Sequence, residues 1–338
     1  MTLQLVALAT AFAAGIGTWL VRAYARSQDV LDVPNDRSSH TIATPRGGGA
    51  AIVLAMLSAV AVLWKQGAVS ASSALAMLGA GSAVAGIGFL DDHRPVPARV
   101  RLAVHFSAAA WALWWVGLPL ASRSYVSTGV PAALGYLVGA VAVVWMLNLW
   151  NFMDGIDGLA ASEALFVCAA AVSLRVIDGA PIPPLTLLLG AATFGFLVWN
   201  FPPASIFMGD VGSGFLGLAL AVTGVVEFAA TAQQGAAWLI LPAFFACDAT
   251  VTLLRRWQQG IPVATAHRTH AYQHLTGRYR SHRRVTLSVA VLNVCYLLPL
   301  AVLTNGGHLT AALGLAAAYI PLAGMVWLLD AGVERSTA

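Results

Sequence analysis

Acidic, amide, histidine and arginine side chains gather in a few short segments of this 338-residue chain. Asp91 and Asp92 stand together in GFLDDHRPVPARVR. Paired carboxylates suit proton abstraction or Mg2+ binding, because Mg2+ takes oxygen ligands together with substrate phosphates. In NLWNFMDGIDGLA, Asn148, Asn151, Asp154 and Asp157 recur every three residues. On an unbroken helix each such step drifts by about 60°, so Asn148 and Asp157 would face opposite ways. Gly155 and Gly158 allow a turn through which the four converge. Asp210, in NFPPASIFMGDVGSGFLG, is followed by Gly212 and Gly214. One carboxylate, small residues and free backbone N–H groups at a helix start fit a metal or a phosphate. His267, His270 and His274 are spaced i, i+3, i+7, one face of a helix if that piece is helical. Zn2+ would need a further ligand there. With Arg255, Arg256 and Arg268 nearby, a cationic pocket for a diphosphate is more natural. Asp248, seven residues before Arg255, shares its face and is placed to orient it. Arg37, His40 and Arg46 precede the glycine run 47–49, which permits close helix packing or close approach of a ligand.

Each segment also has a plainer reading. Asp91 and Asp92 sit badly at the negative end of a helix, and Arg94, Arg99 and Arg101 could simply offset them. Asp157 and Asp210 could each be the N-cap of a following helix. The histidine segment could be a basic loop that happens to hold histidines.

The elements that position these groups follow from composition. Hydrophobic residues make up 59% of the chain and charged residues 9%, with mean hydropathy +0.78. A soluble domain carries about 25% charged residues. A soluble enzyme, a disulfide scaffold and a disordered chain are excluded. Cys168, Cys247 and Cys295 lie in apolar stretches and read as small hydrophobes. The first charge is Arg22, so the start reads as a retained span and not a cleaved signal.

Crossing the hydrocarbon core takes about 20 apolar residues as a helix. Eleven stretches qualify: 2–21, 47–64, 72–90, 101–120, 132–151, 158–177, 184–200, 212–228, 236–254, 285–304 and 309–329. The expected fold is an all-α polytopic membrane protein, one domain of 1–338 with its motifs within about 32–284. With the N-terminus outside, Lys65, Arg123 and Arg175 are the only basic residues in outward loops. The other fifteen of eighteen face inward, a strong positive-inside asymmetry. The pI of about 9.2 is thus mostly a topology device, and nucleic acid is not an expected partner. The C-terminus and the polar clusters then share the cytoplasmic face, where a water-soluble substrate arrives.

The ordered set PNDRSSHTIATPRGGG, GFLDDHR, NLWNFMDGIDGLA, FMGDVGSGFLG and a histidine loop after RR resembles the polyprenyl-phosphate N-acetylhexosamine-1-phosphate transferases. That family includes phospho-N-acetylmuramoyl-pentapeptide transferase and the enzymes that start O-antigen, enterobacterial common antigen and teichoic acid linkage. The resemblance implies this reaction: a UDP-N-acetyl-amino sugar plus undecaprenyl phosphate gives the polyprenyl-diphospho-sugar and UMP. It implies Mg2+, with Mn2+ as a substitute, a bacterial inner (plasma) membrane location, and a homodimer as a candidate assembly. By motif, Asp210 matches the metal-binding Asp. Asp91 and Asp92 match the paired acids, Asp91 being the candidate for the lipid phosphate, its proton or the metal. Asp154 and Asp157 match catalytic acids, with Asn148 and Asn151 beside them. His267, Arg268 and His270 fall in the loop on the nucleotide-sugar side, and Arg37, His40 and Arg46 in a substrate-binding segment.

Two departures separate the chain from the peptidoglycan branch. Pro95 stands where that branch has Lys, and AHRTHAYQHL replaces a tight HxHH. The pattern is more similar to O-antigen-initiating members that use UDP-GlcNAc, UDP-FucNAc or UDP-QuiNAc. The rival from another class is a membrane transporter with a charged gate at the cytoplasmic side, which would place ionisable groups inside the spans. Only Glu163, Asp178, Glu227 and Asp248 qualify. A CDP-alcohol phosphotransferase would need an AR after DG at a spacing absent here.

Overall fold

The computed structural model describes residues 2–28, 31–32, 43–117, 132–262 and 267–334. The first helix, α1 (Leu3–Ser27), is followed by a two-residue pair, β1 (Leu31–Asp32) antiparallel to β2 (Thr44–Pro45). Four helices then run in sequence: α2 (Gly49–Lys65), α3 (Ala71–His93), α4 (Ala98–Val116) and α5 (Ala132–Met153). After them come α6 (Leu159–Ile177), α7 (Pro184–Asn200) and α8 (Asp210–Phe228). The last group is α9 (Ala232–Ile240), α10 (Ala243–Gln258), the short α11 (Ala271–Tyr279), α12 (His282–Leu292), α13 (Leu298–Asn305) and α14 (Ala311–Leu328).

Every expected apolar stretch coincides with one of these rods, with two refinements. The ninth is broken: α9 and α10 meet at a 70° bend. The tenth is continuous but carries one π-helical turn, Asn293–Leu297, between α12 and α13. By length and apolar composition seven helices among the described residues can cross a membrane, eight with the bent pair. Helices α2 and α7 are apolar but shorter, at 17 residues each. Helix α4 begins with Arg99 and Arg101, which dilutes its apolar character. Exposed Phe12, Leu54, Trp114, Val198 and Ile320 cover the outside, as a lipid-facing surface requires. The chain is a multi-pass membrane protein.

Helix α8 is the axis of the bundle, 78% buried along its most apolar window. It packs on α3 and α5, with α2 beside it. Small residues make this approach possible. A Cβ at Gly88 of α3 would strike the backbone of Asp210, so the glycine lets the end of α3 lie directly on the start of α8. That contact brings Asp91 and Asp92 to Asp210.

Candidate active site

Asp91 and Asp92 close the last turn of α3, where the helix dipole opposes negative charge. The structure offsets them in different ways. The Asp92 carboxylate, 4% exposed, accepts hydrogen bonds from the backbone N–H groups of Asp210 (2.9 Å) and Val211 (3.1 Å). It therefore caps α8 from another helix, filling the orphaned donors of that N-terminus. Gly209 makes room: its φ is +76°, and any side chain there would meet the Asp92 oxygens. Arg46 adds an ion pair to Asp92 at 2.7 Å and approaches Asp210 at 3.6 Å. Asp91 accepts from the Val96 N–H at 2.6 Å and from Arg101 at 2.5 Å, and Arg101 also reaches Asp210 at 3.4 Å. The expected contribution of Arg94 and Arg99 is absent among the described ion pairs; Arg101 offsets Asp91 and Arg46 offsets Asp92.

These contacts correct two readings of Asp210. The N-cap position belongs to Gly209 and the capping group is Asp92, so Asp210 is free of that duty. The first amides of α8 are likewise occupied and do not form an open phosphate cradle. The Asp210 carboxylate, 25% exposed, instead accepts from the Asn151 amide at 3.0 Å, and Asn151 also donates to Ser213 at 3.1 Å.

Arg46 is held by backbone pairing. Phe207 N–H donates to Pro45 C=O (2.8 Å), Gly48 N–H to Phe207 C=O (2.9 Å) and Gly49 N–H to Met208 C=O (2.9 Å). The segment before α2 is thus laced to the segment before α8. Arg37 and His40 lie outside the described residues.

The four residues of NLWNFMDGIDG take four different places. Asn151 joins Asp210. Asn148 lies one turn farther along α5, donates to Val144 C=O at 2.7 Å and lines a cavity. Asp154 follows the end of α5. Burial, then the Asp210, Asp92 and Asp157 charges, hold its carboxyl well above the usual carboxylate range, against the pull of Arg46. Asp157 faces elsewhere. It accepts from Ala204 N–H at 3.0 Å and pairs with His282 Nδ1 at 3.0 Å, and its own carbonyl accepts from Thr286 at 3.0 Å. It is not the N-cap of α6; that position is Gly158, φ +71°. Asp157 pins the turn to the 201–206 loop and to α12.

The histidines do not share one helix face, because α11 starts only at Ala271. His270 is its N-cap residue and His267 lies in the preceding loop. Their rings are 5.0 Å apart, and both line the same cavity as Asn148. The anchor is Asp248, fully buried in α10. It accepts from Ala271 N–H (2.8 Å), Tyr272 N–H (3.0 Å) and Thr252 (3.2 Å), and contacts His270 Nδ1 at 3.2 Å. Asp248 was expected to orient Arg255; it orients His270. Arg255 turns instead to the carbonyls of Trp327 and Ala331, at 3.0 and 3.1 Å, and stacks 4.0 Å from the Trp327 ring. It is therefore no part of a diphosphate pocket. Arg256 is buried, with Glu334 at 3.9 Å. Arg268 is exposed. Burial, the neighbouring His270 and Arg256 push His267 down to about 4. Tyr272 closes the far side, donating to Phe152 C=O at 3.1 Å.

The cavity has a volume of about 620 Å³. Arg101, Asn151, Asp210, His267 and His270 line it together with His105, Asn148 and Gln273, and most of the remaining wall is apolar side chains of α3, α4 and α5. No group of three or more His, Cys, Asp or Glu among the described residues forms a closed metal cage. Asp91 and Asp210, however, both meet Nη1 of Arg101, at 2.5 Å and 3.4 Å, which sets the two carboxylates side by side. Two abutting carboxylates are the donor set for a Mg2+ that shares its shell with substrate phosphates, so these residues fit that ion. Sequence reasoning missed Arg101 as the link between two acids and the link from Asp248 to the histidine loop. A lone Asp within an apolar helix is the signal that marked Asp248.

The description "Glycosyl transferase family 4" matches residues 74–227, which include Asp91 through Asp210 and stop before the histidine loop. The decaprenyl-phosphate N-acetylglucosaminephosphotransferase of Mycobacterium leprae is 30% identical over 322 residues, 85% of this chain and 80% of its own. This chain belongs to the polyprenyl-phosphate N-acetylhexosamine-1-phosphate transferase family. Two further members show its breadth. A probable undecaprenyl-phosphate N-acetylglucosaminyl 1-phosphate transferase of Bacillus subtilis is 26% identical, covering 82% of this chain and 78% of its own. An undecaprenyl-phosphate alpha-N-acetylglucosaminyl 1-phosphate transferase of Thermotoga maritima is 28% identical, covering 62% of each. Within the family core, Asp91, Asp92 and Asp210 are the acids that this fold brings together, and His267 and His270 line the same cavity as Asp210.

Proposed function

We propose that this transferase moves an N-acetyl-amino-sugar 1-phosphate from a UDP-sugar to undecaprenyl phosphate, giving the polyprenyl-diphospho-sugar and UMP. One observation carries the reading: the Asp91–Arg101–Asp210 cluster stands at the mouth of an apolar groove between α4 and α5. A soluble nucleotide site needs no such groove; a polyprenyl tail does. The donor is a UDP-GlcNAc-type sugar, and the product starts an O-antigen or related envelope polysaccharide at the bacterial inner membrane. The eleven rods each cross, N-terminus outside, so that the cluster faces the cytoplasm, as the placement of arginines favours.

Phosphoryl transfer demands positioning and charge neutralisation. Asp210 and Asp91 would hold Mg2+, which supplies charge neutralisation at the transferred phosphate. A lipid-phosphate oxygen attacks the sugar-bearing phosphorus, and the bond to UMP breaks. Arg46 and Arg101 sit where several phosphate charges meet, and each is aimed by an aspartate. Asp154, whose carboxyl burial and the neighbouring acids hold above the usual carboxylate range, is suited to hold a proton near the reacting groups. His270, fixed by Asp248, presents its ring to the nucleotide sugar.

The test is UMP release by the purified protein in mild detergent, with undecaprenyl phosphate, a panel of UDP-N-acetyl sugars, and Mg2+ present or absent. Release that requires both lipid and metal supports the reading, and the best donor names the branch. No release with any donor from folded protein would remove it.

A further inference from the structure

His105 has no assigned role, and its position asks for one. It lies on α4 one turn past Arg101, which places it about 6 Å farther along the helix axis, away from the acidic cluster. Arg101, His105 and Phe106 all line the cavity, so this face of α4 is the cavity wall. Helix α5 runs the other way, and its cavity face repeats the order. Asn151 is level with the cluster, Asn148 lies about 4.5 Å farther along, and Val144 and Val141 follow. Polar groups thus occupy two successive layers, Arg101 with Asn151 and then His105 with Asn148, before the wall becomes apolar.

The first layer is explained by its ion pairs and hydrogen bonds to Asp91 and Asp210. The second is not. His105 Nδ1 is buried and has no hydrogen-bond partner. A polar ring inside a helical membrane bundle is costly unless something satisfies it. Buried orphan N–H groups are rarer than orphan acceptors, so the ring proton belongs on the other nitrogen, Nε2. That leaves Nε2 as a donor for the cavity that His105 lines. Asn148 already donates one amide hydrogen to Val144 C=O, which fixes its side chain against the same cavity.

We propose that His105, with Asn148, binds the phosphate of the polyprenyl acceptor and holds it at the boundary between the apolar groove and the Asp91–Arg101–Asp210 cluster. This rests on the acceptor assigned above. His105 is a substrate-binding residue that sets how far the lipid phosphate advances, and so presents its attacking oxygen to the donor. The contact is to a phosphate oxygen that does not react.

The test compares farnesyl phosphate with farnesol, read as quenching of tryptophan fluorescence (Trp145 lines the groove) in the full chain in detergent. The wild type is expected to bind the phosphate at least about tenfold more tightly than the alcohol, the scale of one hydrogen bond to a charged group. His105→Leu should lose most of that preference. His105→Gln, whose amide can place a donor near the Nε2 position, should stay within about threefold of the wild type. His105→Phe keeps the ring volume and stands in if the Leu variant does not fold. In turnover, His105→Leu should raise the KM for the lipid acceptor about tenfold and leave the donor KM within twofold. An unchanged phosphate preference in both apolar variants, or none in the wild type, would overturn the proposal. Protein that keeps the preference but releases no UMP with any donor would remove the transferase reading and leave this phosphate seat standing.

Discussion

The carboxylate of Asp92, at the end of α3, caps the first turn of α8 by accepting from the N–H groups of Asp210 and Val211. Two charges that would each be unfavourable alone, an acid at a helix C-terminus and the open donors of a helix N-terminus, satisfy one another. The same contact fixes where Asp210 stands.

Asp92→Asn keeps the size of the side chain but turns one acceptor into a donor facing an N–H. It should lower the melting temperature, by about 1 kcal/mol or more of lost capping, and cut UMP release at least a hundredfold. Normal melting with normal turnover would show that the cap is not what aligns Asp210.

Arg101 serves two acids through one nitrogen, Nη1, at 2.5 Å and 3.4 Å. Lysine carries its ammonium on a flexible stem, without the planar frame that holds this nitrogen in place. Arg101→Lys should therefore lose nearly as much turnover as Arg101→Ala, roughly a hundredfold or more. Recovery by Lys to within a few-fold of wild type would mean that charge alone suffices.

Asp248→Asn removes the acceptor that holds His270 and the start of α11. The expected loss is about tenfold to a hundredfold in kcat/KM for the nucleotide sugar, with the acceptor KM little changed, in line with about 1–3 kcal/mol for a broken buried hydrogen bond. An equal effect on both substrates would instead mark a general folding defect.

Metal dependence has its own check. Chelation by EDTA should abolish turnover, and Mg2+ or Mn2+ should restore it. Asp210→Asn should remain inactive at any metal concentration while melting as the wild type does. Full activity after exhaustive chelation would discard the assignment of Asp210 and Asp91 to the ion.

His267 gives a pH signature. Its ordinary value is 6.5, and burial lowers it to about 4 in the folded protein. The unfolded chain therefore takes up the proton first, so folding stability falls as pH drops from about 6.5 towards 4 and is unaffected above that window. His267→Gln should flatten the decline of melting temperature between pH 6.5 and 4.5. Parallel curves for the two proteins would show that His267 does not set it.

Much of this was legible in advance because periodicity and composition report on environment directly. Each of the eleven apolar stretches is helical, the ninth as two rods, and Asp91, Asp92, Asn151 and Asp210 come together, whereas Asn148 and Asp157 do not converge with Asn151 as the spacing of their motif suggested. What could not be read was direction. Asp157 carries the same residue type and spacing as Asp154, yet a positive-φ glycine beside it turns it towards Ala204 and His282. Asp248 shares a helix face with Arg255, but the chain returning after α10 supplies three backbone and ring partners that a sequence pattern does not contain. The 70° break between α9 and α10 falls at Pro242, a helix breaker that a count of apolar stretches passes over because both halves remain apolar.

The lacing of residues 45–49 to 207–208 bears on how the protein is made. The two segments are separated by the synthesis of α2 through α7, so Arg46 must wait through most of translation for its second partner. During that time the incomplete bundle holds Asp92 without the α8 amides that it caps and Arg46 without Asp210. Because both groups sit at helix ends, water can solvate them until α8 inserts. Chains interrupted before Asp210 would therefore lack the carboxylate on which Arg46, Arg101 and Asn151 converge.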